Sequence, residues 1–231
     1  MVCGRWPIKL GTGQHSRLKI SLVNCFAAGI FLGAGLIHTL SDSNSLLSQY
    51  ADYPVAFALA CLGFFLVFGF DRILGHGHEG GFDSFSPFIL ALVLGIHSMI
   101  AGLAVGLEQD LTGGLILLGA IIAHKGSASF ALGANLYKSG MSKGALSRTL
   151  LIFSLSTPIG ILAGSILSRG LTGSKAQLAE GCFDGLAAGT FLYVAIMEIL
   201  AEEFEDHQNS RVKYFLTLLG LGIMAVLAIF S

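Results

Sequence analysis

Seven long apolar stretches follow one another along this 231-residue chain, and they restrict its fold more than any other feature. They run from about Leu18 to Leu40, Tyr53 to Ile73, Ser86 to Leu107, Leu111 to Tyr137, Ala145 to Leu167, Gly181 to Leu200 and Val212 to Phe230. A helix needs about 20 apolar residues to cross a hydrocarbon core about 30 Å thick, so each stretch is long enough to span. Backbone groups in lipid must bond one another, and a single stretch does so only as a helix. The expectation is an all-α, polytopic membrane helix bundle with seven transmembrane helices. Short connections leave no room for a soluble domain, so residues 1–231 form one membrane domain. Residues 74–85 are its short histidine-containing loop.

Composition agrees with that reading. The chain is 54% hydrophobic and only 12% charged, with a net charge of −1, which excludes a soluble domain of ordinary make-up and leaves no basic surface for nucleic acid. No nucleic-acid partner is expected; the partner in bulk is the lipid bilayer. The 31 glycines fall largely inside the spans, where they let helices approach closely. Cys25, Cys61 and Cys182 lie within spans and Cys3 in the tail, without the spacing of a disulfide framework, and are read as packing residues.

Cations near the span ends set the orientation. With the N-terminus cytoplasmic, Arg5, Lys9, Arg17, Lys19, Arg72, Lys138, Lys143, Arg148, Arg211 and Lys213 lie inside, and only Arg169 and Lys175 outside. The C-terminus is then outside. The remaining cation, Lys125, sits within the fourth span, in "IIAHKGSASF".

His97 and His124 lie near the middles of the third and fourth spans, so two consecutive antiparallel helices present an imidazole at the same depth. An ionisable group there costs about 2.5 to 3.5 kcal/mol on the insertion scale and marks a functional site by default. The bland alternative is that each imidazole bonds a neighbouring carbonyl and merely ties helices together. Beside His97, Ser98 offers a hydroxyl. Imidazole is a common ligand for zinc and its first-row neighbours, and a transporter needs fewer ligands than a structural site because the ion must leave. Other polar residues fall along one route. His38 and Asp42 sit at the outer end of the first span, Glu198 in the inner half of the sixth, and Glu202, Glu203, Glu205 and Asp206 beyond it. The loop "LGHGHEGGFD" adds His76 and His78 as a short metal-binding tract or a plain flexible turn.

The segments "FAAGIFLGAGLIHTLSD", "HSMIAGLAVGLEQD", "AHKGSASFALGANL", "FSLSTPIGILAG" and "GLAAGTFLYVAIMEILAEEF", in this order, resemble the ZIP (Zrt/Irt-like) family of divalent metal transporters over nearly the whole chain. The resemblance implies a central transport site at His97 and His124, a route to the cytoplasm past Glu198, and an outer entrance at His38 and Asp42. Three departures stand out. Many family members carry a glutamate four residues after one or both histidines, where this chain has Ala101 and Ala128. Lys125 replaces the usual acidic or amide residue, and Thr157 stands where some relatives place a glutamate, so a second metal ion is not expected. The family has eight spans and this chain matches its second to eighth. By the resemblance the missing helix would cover the third to fifth spans, so part of their polar interior is expected to face lipid here and the chain to be a truncated form with weak uptake.

"AAGIFL" at 27–32 and "AAGTFL" at 187–192 match at five of six positions on oppositely directed spans, as an inverted repeat would. Lys125 is expected beside His124, either filling the space of a second cation or pairing with an acid such as Asp184. The expected function is transport of a divalent transition metal, zinc first, toward the cytoplasm. The metal is substrate, so no cofactor is expected, and the chain is not read as an enzyme. A plasma membrane is favoured over an organelle membrane, and a homodimer is compatible with the pattern. The alternatives are an intramembrane zinc hydrolase, which lacks the usual His-x-x-x-His pair here, and a seven-helix receptor, which leaves His97 unexplained.

Overall fold

The structure is a computed structural model that describes residues 2–7, 14–74, 86–108, 111–168, 170, 173–205 and 207–229. His76, His78 and Asp206 lie outside the described residues. After a 3-10 turn at Cys3–Arg5 come α1 (Gln14–Gly33), a π-helical segment (Ala34–Thr39), α2 (Leu40–Leu47), α3 (Val55–Leu74), α4 (Ser86–Leu107) and α5 (Leu111–Lys138). Next in the chain are α6 (Lys143–Leu167), α7 (Ser174–Tyr193), a second π-helical segment (Val194–Leu200), α8 (Ala201–Glu205) and α9 (Ser210–Leu227). The π segments join α1 to α2 and α7 to α8, so the described chain forms seven rods. Six are long and apolar enough to cross a membrane. The seventh, α5, has 28 residues, about 42 Å at 1.5 Å per residue. The protein is a polytopic helical membrane bundle.

The three most extensive helix contacts are those of α4 with α6, α1 with α9, and α3 with α7. Glycine makes each possible. A Cβ on Gly160 would lie 2.1 Å from the Met99 carbonyl oxygen, and one on Gly189 would lie 1.9 Å from that of Ala60. Real side-chain atoms do not approach so closely, so only glycine lets these backbones touch. The register also gives direction. Gly102 meets Thr157 and Gly106 meets Ile161, so α4 and α6 run parallel, as alternate spans of a serpentine chain must.

The two motif-bearing rods are antiparallel: Gly35 packs on Phe191, whereas Gly181 packs on Leu46 and Leu47. In both rods the π segment begins two residues after the motif, at Ala34 and at Val194. Phe31 and Phe191, fifth residues of the two motifs, stack at 5.5 Å in the core. A wide turn inserts an extra residue and rotates the helix beyond it, and such turns gather at functional sites. His38 lies in one and Glu198 in the other.

The N-terminal segment is more than a tail. Gly4 packs against Gly133 of α5, Trp6 sets its ring edge-on to Phe130 at 6.2 Å, and Arg5 donates to Ser147 Oγ of α6 at 2.7 Å. The expectation that the histidine spans would turn polar groups to lipid is corrected here. His97, Ser98, His124 and Thr157 are all buried. Leu92 and Ile96 of α4 and Ile152 and Ile166 of α6 face outward instead, because the helical period places these on the opposite face.

Candidate functional site

Four rods meet at one small cavity. His38, Thr39 and Asp42 line it from the first rod, His97, Ala101 and Ala104 from α4, Ile121 and His124 from α5, and Asp184 and Ala187 from α7. The helical period explains the set on α4: residues 97, 101 and 104 recur at one and two turns and so share a face.

His97 and His124 sit at the closed end of this cavity with ring centroids 5.9 Å apart and planes inclined by 65°. Both are almost fully buried, His97 at 5% exposure and His124 at 6%. The two nitrogens of His97 make no hydrogen bond among the described residues, which goes against a purely structural tie to a carbonyl or hydroxyl. A buried polar group left unbonded costs about 1 to 3 kcal/mol. Beneath the pair lies Phe191, its ring 3.7 Å from that of His97 and 5.4 Å from that of His124. An aromatic face there closes the far side of the site to water.

Toward the mouth, His38 Nδ1 and Asp42 Oδ2 are 3.0 Å apart. They are four residues apart, one helical turn, and the wide turn at Ala34–Thr39 carries His38 toward the cavity. Asp184, expected only as a partner for Lys125, lines the same cavity. So the lining runs from Asp42, whose side chain is 42% exposed, past the buried His38 to two buried imidazoles. Among the described residues no three His, Cys, Asp or Glu side chains converge tightly enough to hold a metal ion.

Three expected residues sit elsewhere. Ser98 is buried but is not part of the lining, and its carbonyl accepts from Thr157 Oγ1 at 3.1 Å. Adjacent helical residues diverge by about 100°, so a neighbour of a ligand seldom shares its site. Glu198 lies in the second π segment, past Phe191 and outside the cavity lining. Lys125 turns away toward α6. Its Nζ donates to Thr157 Oγ1 at 2.6 Å and to the Phe153 carbonyl at 3.3 Å, and stands 4.4 Å from the centre of the Phe153 ring. Its partners are therefore a hydroxyl, a carbonyl and a π-face on α6, not Asp184.

Two residues of this arrangement, Asp184 in the lining and Phe191 beneath the histidines, were not expected there. Asp184 was a lone carboxylate within an apolar span, a signal of the same kind that singled out His97. Phe191 gave none, since a phenylalanine in an apolar helix reads as core.

Comparison with known proteins bears on the whole chain. A family model described as ZIP Zinc transporter matches residues 2–87 and 84–228. The "Zinc transporter ZIP2" of Mus musculus is 30% identical over 289 aligned residues, covering 99% of this chain and 93% of that protein. The "Zinc transporter ZIP1" of Homo sapiens is 30% identical, covering 92% and 79% respectively. "Protein zntD" of Dictyostelium discoideum is 42% identical over a shorter stretch, 62% of this chain and 21% of its own length.

Proposed function

The chain belongs to the ZIP zinc transporter family, and from that premise we propose that it carries a divalent transition-metal ion, zinc first, toward the cytoplasm through a midplane site at His97 and His124. The single observation that carries the reading is His97, buried at the end of a polar-mouthed cavity with two nitrogens unbonded among the described residues. Burial with such unmet bonding suits a group whose partner comes and goes.

The lining supports a sequence of exchanges. Asp42, partly exposed at the outer end of the lining, attracts a hydrated cation, and His38 and Asp184 then offer an imidazole and a second carboxylate along the same lining. Deeper in, the imidazoles offer nitrogen donors that favour zinc and its first-row neighbours over magnesium or calcium, which prefer oxygen. With Ala101 and Ala128 in place of carboxylates, the floor holds the ion weakly, and weak holding suits release. Phe191 bars the way between this floor and Glu198. Transport therefore requires that Phe191 and the histidine rods move relative to one another, after which Glu198 takes over as ligand. The cation bias at the span ends makes the Glu198 side cytoplasmic. His76 and His78, placed by sequence on that side, are read as a capture tract for the emerging ion.

Lys125 acts indirectly in this account. Held by Thr157, its ammonium stays within electrostatic reach of His97 and disfavours a second cation. A hydrolase would hold zinc permanently, whereas the mouse and human relatives are named as transporters and the family is one of transporters, not enzymes. Uptake by liposomes carrying the purified protein, run against a panel of competing divalent ions, tests the proposal. Saturable zinc accumulation, suppressed by first-row ions and not by magnesium or calcium, is expected; binding without accumulation would overturn it.

A further inference from the structure

At the end of the bundle opposite the cavity mouth, four helical elements are fastened to one residue. Glu203 of α8 is 6% exposed, and its Oε1 accepts from Lys138 Nζ of α5 at 2.8 Å and from Asn24 Nδ2 of α1 at 2.7 Å. Its backbone carbonyl accepts from Lys213 Nζ of α9, itself 2% exposed. Lys138 also donates to Glu202 Oε1 at 3.0 Å. Through Lys138 the cluster holds the helix that carries His124. Through the rod that α8 continues, it holds the helix that carries Asp184 and Phe191.

A buried carboxylate is tolerated only while its partners neutralise it, so the cluster has two sharply different states, made or broken. Glu198 lies five residues before Glu203 on the same rod. Glu203 therefore stands about 7 Å farther along the rod than Glu198, with its carboxylate occupied by an ammonium. We propose that Glu203 is a latch: paired with Lys138 and Asn24 it holds the exit closed, and an outgoing cation that displaces Lys138 from it opens the exit. In this role Glu203 and Lys138 are positioning residues for release, not ligands of the central site. The purpose assigned to the latch rests on the transport reading; its opening can be measured without transport.

The chain supplies its own reporter. Cys25 follows Asn24, is fully buried, and lies within electrostatic reach of Glu203, Lys213 and Lys138. In full-length protein in liposomes, with Cys3, Cys61 and Cys182 replaced by serine, a membrane-impermeant maleimide is added to one face at a time. Labelling of a buried thiol tracks the population of the open form when opening and closing are fast, so Lys138→Gln and Glu203→Gln should each raise the rate by about tenfold. The rise should come only from the face that carries the α5–α6 turn, and Lys138→Arg should keep the slow rate of the parent. Unchanged labelling in both glutamine variants would overturn the latch, and so would an equal rise from both faces. A protein that shows the one-sided rise but fails to accumulate metal would keep the latch and lose the transport reading.

Discussion

His97 and Ala101 share one helical face and one cavity, and that makes the alanine testable. A glutamate at 101 would return a carboxylate to the wall of the site one turn from the imidazole. Ala101→Glu is expected to tighten zinc binding about tenfold, equivalent to about 1.4 kcal/mol, read by titration of purified protein; unchanged affinity would mean that α4 does not face the ion. Asp184→Asn keeps the shape and removes a carboxylate from the cavity lining. It should raise the zinc concentration for half-maximal uptake several-fold, roughly as the loss of one oxygen donor does, while leaving the maximal rate near that of the parent. A fall in the maximal rate alone would place Asp184 outside the entry path. At this scale the sequence was readable where chemistry was unusual for its surroundings, as with histidines at matched depth and His38 with Asp42. Ser98 falls outside the cavity lining because sequence neighbours diverge around a helix, and Phe191 was invisible because its type is common in a span.

Among the elements, close backbone contact should matter more than apolar area, because lipid is as apolar as the helix face it replaces. Gly189 and Gly222 separate the two effects. A methyl on Gly189 meets the Ala60 carbonyl oxygen at 1.9 Å, whereas one on Gly222 meets nothing within 4 Å. Gly189→Ala should therefore destabilise the bundle by about 1 to 3 kcal/mol, the ordinary cost of overpacking. Gly222→Ala should leave thermal unfolding in detergent unchanged within error. Equal effects would refute the tight α3–α7 contact. The spans themselves were legible, since apolar runs of membrane length permit little else. Their ends were not. The first and sixth rods extend to Leu47 and begin at Ser174, beyond the apolar runs ending at Leu40 and starting at Gly181, because a helix continues into water past the hydrocarbon boundary. The two π segments left no mark in hydropathy, as one extra residue per turn does not alter which residues are apolar.

For the molecule as a whole, the parallel pairing of alternate rods and the antiparallel motif helices describe a bundle with one internal reversal. A polar cavity opens at one end and the Glu203 cluster closes the other. Such an arrangement is one-sided, and His97 and His124 both belong to the lining of that cavity. The most direct test is zinc accumulation by liposomes carrying purified protein, compared with His97→Ala and His124→Ala at matched incorporation and matched thermal stability. Loss of saturable accumulation in both variants is the predicted result, because each removes one of the two nitrogen donors at the cavity floor. Accumulation at the parent rate in either variant would contradict the midplane site.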